Sequence, residues 1–255
     1  MRIIQISDLH FGMHNEALIN PFFLDLAQLK PDLIMISGDL TQRATTEQYH
    51  LLRHFLNTLP APYLTVPGNH DIPLYNVYNR LSQPFAKYQK YVSPSLEAHF
   101  INNEVKILGV NSATPYKIKD GKLSKKTIKQ IRDSFAQDNG LINILFFHHN
   151  LNYFSGMHHP LNNAEEFIHY LQDSSIHLVC TGHLHYANLK LIPKNSQNHC
   201  AILHAGSLLC ERNKDDKNSF YVIDVNKMRC TIDWRVFNGE TFASQHVDEI
   251  DFNMV

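Results

Sequence analysis

The chain has 255 residues, 44% hydrophobic and 18% charged, with a formal net charge of −1. This is the composition of a folded globular protein, long enough for one large α/β domain or two small ones. A balance this close to neutrality excludes recognition of nucleic acid or of an anionic membrane surface by whole-chain charge. The unusual count is 17 His against one Trp, and histidine is both the commonest metal ligand and the side chain that titrates nearest neutral pH. The cysteines, Cys180, Cys200, Cys210 and Cys230, form no Cys-x-x-Cys pair, and Cys180 within an apolar run reads as a reduced core thiol. Residues 2–6 are strand-like rather than a signal peptide, and no apolar run is long enough to span a bilayer. The expectation is a cytoplasmic protein with reduced thiols and no transmembrane segment.

Residues 2–7 read as a buried strand ending in Asp8-Leu9-His10. Asn20-Pro21 reads as an N-cap followed by a helical proline, with Phe22, Leu26 and Leu29 on one face and Pro31 as the stop. Residues 33–37 form the next apolar run, ended by Gly38-Asp39. Thr45 with Gln48 predicts a capping box for a helix carrying Tyr49, Leu52, Phe55, Leu56 and Leu59. Residues 63–66 follow, and Gly68-Asn69-His70-Asp71 is their tip. Strands alternating with helices predict right-handed crossovers and a parallel sheet, whose sites lie beyond the carboxyl ends of the strands.

Residues 73–96 read as a less regular helical stretch in which Tyr75, Tyr78, Leu81, Phe85, Tyr88 and Tyr91 recur every three or four positions. That face is expected to pack on the core; its other use would be an aromatic wall beside a site. Residues 99–101 and 105–110 read as a hairpin. Ser124 is expected to cap a helix, and the basic run from Lys117 to Arg132 reads as a solvated face, its other use being contact with phosphate. Residues 141–147 form a strand ending in His148-His149-Asn150, and Asn163 with Glu165 and Glu166 opens a helix. Residues 177–181 end in Gly182-His183-Leu184-His185, residues 201–204 precede Gly206-Ser207, and residues 220–225 and 230–236 make a closing hairpin. His158 and His159 read as surface residues of the loop after His148, which would border the site; their other use would be substrate contact. With no linker in evidence, the expectation is one domain over residues 1–255, two β-sheets face to face with helices outside.

The polar strand tips collect Asp8, His10, Asp39, Asn69, His70, His148, His183 and His185. Carboxylates, an amide and imidazoles without a thiolate suit borderline divalent ions such as Mn, Fe, Co or Zn rather than a structural Cys-type zinc site. Leaving out His70, the candidates are too many for one tetrahedral ion and suit two ions about 3.5–4 Å apart that share a carboxylate and a water. Asp8 and His10, or His183 and His185, lie two apart, and in an extended segment such residues point the same way. His70, beside the amide, is placed to donate a proton to a leaving group.

The ordered series Asp8-x-His10, Gly38-Asp39, Gly68-Asn69-His70-Asp71, His148 and Gly182-His183-x-His185 resembles the calcineurin-like metallophosphoesterase superfamily, over residues 2 to 236. Within it the chain is most similar to compact bacterial class III cyclic-nucleotide phosphodiesterases and glycerophosphodiesterases. The resemblance implies a four-layer αββα double β-sandwich and a dinuclear, metal-dependent phosphodiesterase. It implies one ion held by Asp8, His10 and His185, a second held by Asn69, His148 and His183, and Asp39 bridging them. A hydroxide bridging the two ions would attack phosphorus, and His70 would protonate the leaving oxygen. Asn69, His70 and Arg43 would contact a small phosphodiester substrate such as a 3',5'-cyclic nucleotide. The family often has proline two residues after the fourth-motif His, where this chain has Asn150; His148 is preferred to His149 because it directly follows its strand. Phosphatase relatives carry Asp-Arg after the second motif, where this chain has Gln42-Arg43, and Asp71 is the nearby carboxylate that could orient an imidazole instead. Three alternatives follow: a pyrophosphatase of a UDP-linked lipid precursor, for which the Tyr-rich segment is the candidate groove; a nuclease, for which no extended basic track is evident; and a metal-free scaffold, which the full ligand set disfavours.

Overall fold

The computed structural model describes residues 1–253 except 138–139, 197, 212–213 and 215–216. Strands β1 (Arg2–Ile6), β2 (Leu33–Ile36) and β3 (Tyr63–Thr65) pair in parallel, and helices α1 (Ile19–Leu29) and α2 (Thr46–Thr58) make the crossovers. The first two strands are almost wholly apolar because both faces are covered. Ile4, Ile6, Ile34 and Ile36 meet Phe22, Leu26, Leu52 and Phe55, while Ile3, Leu33 and Met35 face the second sheet. Thr45 and Gln48 form the reciprocal cap of α2. Asn20 does not cap α1, which starts at Ile19; Asn15 instead caps a preceding 3-10 turn through Ala17 N.

Residues 73–96 divide into α3 (Val77–Ser82) and α4 (Ala86–Tyr91), because Pro84 cannot continue a helix. The aromatic face divides with them. Phe85 and Tyr88 are buried, whereas Tyr75 (80%) and Tyr78 (79%) are among the most exposed apolar side chains described.

The chain then builds a second sheet from β4 (Ala98–Ile101), β5 (Val105–Gly109), β6 (Ile142–Phe146), β7 (Leu178–Thr181), β8 (Asn188–Pro193) and β9 (His199–His204), in the order β4-β5-β6-β7-β9-β8. The four inner strands are parallel and both edges antiparallel. Helices α5 (Lys125–Ser134) and α6 (Ala164–Asp173) cover its outer face through Ile131, Phe167 and Leu171. Ser124 caps α5 through Thr127 N, but Asn163 does not cap α6; its carboxamide pairs with both main-chain groups of Leu123. The last strands, β10 (Ser219–Asn226), β11 (Arg229–Phe237) and β12 (Phe242–Asp251), return to the first sheet, giving the order β12-β11-β10-β1-β2-β3. The inner faces of the two sheets interlock through Ile3, Met35 and Val66 against Ile107, Ile144 and Leu203. The layers are helices, sheet, sheet, helices, the αββα arrangement expected.

This packing brings the carboxyl ends of β1, β2, β3, β6 and β7 together, and their tips are tied by main-chain bonds. Asp8 N donates to Gly38 O (3.1 Å), His10 N to Asp39 O (3.0 Å) and Gly182 N to His148 O (2.9 Å). Asp71 is the hub of the first half. Fully buried, it accepts from Thr41 N (2.9 Å), Thr41 Oγ1 (3.0 Å), Gly68 N (2.9 Å) and Leu40 N (3.1 Å). It touches no imidazole through its carboxylate, which corrects the expectation that it orients one; it clamps the second motif to the third. Asp71→Ala would strand these donors in the interior, where each costs about 1–3 kcal/mol. The expected loss in urea unfolding is about 3 kcal/mol or more, and a loss under about 1 kcal/mol would refute the clamp.

Candidate metal centre and cleft

Each tip turns sharply as it leaves its strand. Asp8 (φ 55°), His10 (48°), Asp39 (52°), His183 (75°) and His185 (52°) all adopt left-handed backbone conformations. Residues other than glycine pay roughly 1 kcal/mol or more for that conformation, and such strain clusters at functional sites. The tips are therefore not extended, and the argument from two-residue spacing is corrected. Asp8 and His10 do converge, but His183 and His185 diverge into two neighbouring groups. Glycine is required where the tips cross: a Cβ on Gly68 would strike Asp39, and one on Gly182 would strike the side chains of Ser7 and Asp8.

In the first group, His185 Nε2 lies 3.2 Å from Asp8 Oδ1 and 3.0 Å from His10 Nε2. In the second, His148 Nε2 lies 3.2 Å from Asn69 Oδ1 and 3.2 Å from His183 Nδ1. Asp39 Oδ2 joins them, 3.2 Å from His148 Nε2 and 3.6 Å from His10 Nε2. Asp8, His10, Asp39 and His185 thus form one cluster of converging ligand atoms, and Asp39, His148 and His183 another. Supporting bonds aim these atoms. His148 Nδ1 donates to Ser37 O (2.8 Å), and Asn69 Nδ2 donates to Ile118 O (3.0 Å), turning the amide oxygen toward His148. His149 is engaged elsewhere, with Nδ1 at 2.8 Å from Ser112 Oγ, and belongs to neither cluster.

Two fully buried carboxylates with no lysine or arginine ion pair among the described residues need compensation. Burial opposes their charge, yet His185 beside Asp8 and His148 beside Asp39 hold both well below the usual carboxylate range. The imidazoles answer in kind. Burial pushes His148 down, but Asp39 carries it up to about 9; burial pushes His185 down, but Asp8 carries it up to about 11. Burial lowers His10 and, more strongly, His183, while burial and then His148 bring His149 down to about 3. Protons on two imidazoles thus do the work of cations. Asp8 Oδ1 and His183 Nε2 remain buried without a hydrogen bond of sound geometry. Facing nitrogens, a shared carboxylate and orphaned polar atoms fit two divalent cations.

Above the clusters opens a cavity of about 500 Å³ lined by His10, Asn69, His70, Arg43, Lys119, His158, His185 and Lys214, among others. His70 N donates to Asp39 Oδ1 (2.9 Å) and its Nδ1 pairs with Gln42 O (2.9 Å). A carbonyl only accepts, so Nδ1 bears the proton and Nε2 is left for a ligand. Arg43 Nη1 donates to the same carbonyl (3.0 Å). The Gln42 side chain supplies no carboxylate, but its main chain holds both residues. Three residues near the site depart from the main sequence reading. His158, expected at the surface, is half-buried with its ring 4.8 Å from that of His183, whereas His159 is exposed. Lys119 lines the cavity instead of a solvated helix. Cys210 lies buried with its thiol near His10 and His185. None of these three has a telling neighbour in sequence; only the loop paths bring them in.

Comparison with known proteins bears on this geometry. The family model described as calcineurin-like phosphoesterase matches residues 1–187. The chain is 26% identical over 161 residues to a probable glycerophosphodiester phosphodiesterase of Arcobacter nitrofigilis, covering 58% of this chain and 57% of the relative. It is 26% identical over 211 residues to a probable cyclic nucleotide phosphodiesterase of Synechococcus sp. (73% and 74% covered). It is also 26% identical over 219 residues to a UDP-2,3-diacylglucosamine pyrophosphatase of Chlamydia trachomatis (75% and 65% covered). The match thus spans less than two thirds of the first and third of these relatives. Among solved structures, a dimetal phosphatase from Danio rerio superposes with a TM-score of 0.71 at 10% identity over 99% of each chain. Vps29 of Cryptosporidium parvum gives 0.52 at 16% identity over 98% and 97%. At such identities these likenesses speak for the fold alone.

The protonated imidazoles generate a test. Ligand nitrogens must be free of protons, so cation uptake near pH 7 has to expel those on His148 and His185. Titrating metal-free protein with Mn(II) in buffers of different ionisation enthalpy is expected to show release of about two protons per chain from the imidazoles, and more where a metal-bound water also ionises. Uptake without proton release would contradict the charge assignment.

Proposed function

Because the chain belongs to the calcineurin-like phosphoesterase family, we propose that it hydrolyses a phosphodiester bond in a small molecule, using two divalent ions held at the strand tips. The observation that carries this reading is Asp39 Oδ2, which stands within 3.2–3.6 Å of an imidazole nitrogen from each ligand group. Asp8, His10 and His185 would hold one ion, Asn69, His148 and His183 the other, with Asp39 shared; the donor set suits Mn, Fe, Zn or Co. When bound, such ions neutralise phosphate oxygens and make a water acidic enough to attack phosphorus.

The chain's own residues do the rest. Arg43, anchored on the Gln42 carbonyl, faces the cleft with a guanidinium that matches phosphate oxygens. Asn69 presents its amide at the same wall. Protonated His70 gives the Nε2 proton to the leaving oxygen, while Nδ1 stays bonded to Gln42 O, which keeps the ring in one orientation. Water adds across one P–O bond: its oxygen joins phosphorus, the ester bond breaks, and the proton goes to the departing oxygen.

A 3',5'-cyclic nucleotide is the leading substrate, on the strength of the Synechococcus relative's name and the size of the cavity. A pyrophosphatase of a UDP-linked lipid precursor is the second reading. The Chlamydia relative's name supports it, and so do the exposed apolar side chains Tyr75, Val77, Tyr78, Leu81, Tyr116 and Ile118, of which Ile118 lines the cleft and the others lie close in sequence to its lining residues Leu74, Arg80 and Ile118. A nuclease lacks an extended basic track, and a metal-free scaffold would have no use for the complete ligand set. All four cysteines are buried and outside any disulfide among the described residues, which fits the reducing conditions of a cytoplasmic protein. Among the described residues, no helix is long and apolar enough to cross a membrane.

Metal-loaded protein is expected to turn over bis(p-nitrophenyl) phosphate, and chelation to abolish it. His70→Ala is expected to lower kcat about 100-fold or more on a diester with an alkyl leaving group. The loss should be smaller with nitrophenol, which departs without a proton. No diester turnover by protein shown to hold two ions would sink the proposal.

A further inference from the structure

Asn69 is the one amide in the second ligand group, and an amide has two unlike ends. Its oxygen attracts a cation and its NH2 repels one, so the side chain has to be held in one of two orientations. Asn69 Oδ1 lies 3.2 Å from His148 Nε2 because Asn69 Nδ2 donates to Ile118 O at 3.0 Å. The orientation of this ligand therefore depends on where the Ile118 carbonyl stands.

Side-chain packing does not fix that carbonyl. Residues 116–119 are all exposed, Tyr116 by 81% and Ile118 by 58%. Arg80 fixes it instead. Carried on α3 and only 7% exposed, it sends its guanidinium to the main chain of this segment. Nε donates to Pro115 O (2.8 Å) and Nη2 to Lys117 O (2.5 Å), on the residue directly before Ile118. Nη1 donates to Pro73 O (3.2 Å), which follows the Gly68-Asn69-His70-Asp71 tip in the chain. The path closes on itself: from Asn69 along the chain to Pro73, through the guanidinium to Lys117 and Ile118, and back to the Asn69 amide. A planar fork with donors at fixed angles can hold three carbonyls at once; an ammonium on a flexible stem holds them less rigidly. The base of the loop is tied separately, by Lys122 N donating to Ser112 O (3.0 Å).

We propose that Arg80 is a positioning residue for the second ion: through residues 115–118 it keeps the Asn69 amide oxygen turned toward His148 and the cation. The inference rests on the two-ion reading of the site and deepens it. The donors of Arg80 go to main-chain carbonyls, so its effect on the metal passes through the loop. Asp8, His10 and His185, the ligands of the first group, come from the β1 and β7 tips and lie outside this path. Loss of Arg80 therefore weakens one ion and spares the other.

The test is Mn(II) titration of the metal-free chain, comparing wild type with Arg80→Met, Asn69→Ala and the double variant, with urea unfolding of each. Arg80→Met is expected to weaken one of the two ions about 10- to 100-fold, as residues that orient a ligand do, and to leave the other within about threefold. Asn69→Ala should weaken the same ion, and adding Arg80→Met to it should weaken that ion less than about threefold further, because both changes act on one interaction. The electron paramagnetic resonance of a coupled Mn pair should give way to that of a single ion. Equal weakening of both ions would overturn the inference, since it would report a general loosening, as would losses that multiply in the double variant. Should Arg80→Met not fold, Ile118→Gly reads the same path with an exposed side chain. It is expected to weaken the Asn69 ion at least about threefold, and unchanged binding would overturn the proposal. Wild type that takes up fewer than two ions would overturn the two-ion reading itself, and this inference with it.

Discussion

Two buried carboxylates that no lysine or arginine pairs with among the described residues set the terms for this molecule. Asp8 and Asp39 are 0% and 1% exposed, and a charge so placed is tolerated only with a close counter-charge. Imidazolium groups at His185 and His148 meet that need in the protein described here, and the same geometry offers two cations the same positions. The rest of the architecture keeps this arrangement in place. Left-handed turns aim the side chains, Gly68 and Gly182 let the tips cross, and the Asp71 hub locks the loops after β2 and β3 together. The strain of those turns is held by the packing of two sheets whose inner faces share one core.

The proton-donating side of the cleft shows how one role can be met by different atoms. An orienting carboxylate for His70 is absent, since Gln42 stands where phosphatase relatives have an acid and Asp71 is occupied by four donors. The Gln42 main-chain carbonyl does that work, accepting from His70 Nδ1 and from Arg43. A carbonyl orients the ring without adding charge next to Asp39. It also keeps a proton on Nδ1, so Nε2 is the nitrogen that faces the cleft and, in the imidazolium form, the one that passes a proton to a leaving oxygen.

Much of this was legible in the sequence because the site sits on regular elements. Apolar runs ending in Asp8, Asp39, Asn69, His148 and His183 mark buried strands whose ends must gather once the crossovers are right-handed. The capping box at Thr45 and the cap at Ser124 were equally plain, being local chemistry. What escaped was set by tertiary context. β8 and β12 lack a clear apolar period, since they lie at sheet edges and show much of their surface to water. Lys119 and His158 reach the cleft, and Cys210 the first ligand group, through irregular loops, whose paths no periodicity encodes. At the His-x-His pair, left-handed turns rather than an extended segment send His183 and His185 to different groups.

The central claim is that the two groups sharing Asp39 hold two divalent ions. Elemental analysis of protein dialysed against Mn(II) and then freed of loose metal tests this most directly, with Asp39→Ala alongside. The account predicts two ions per chain in the wild type and loss of retained metal in the variant, because both groups depend on that carboxylate. Wild-type protein that is folded and retains no metal, or a variant that retains as much as wild type, would contradict it.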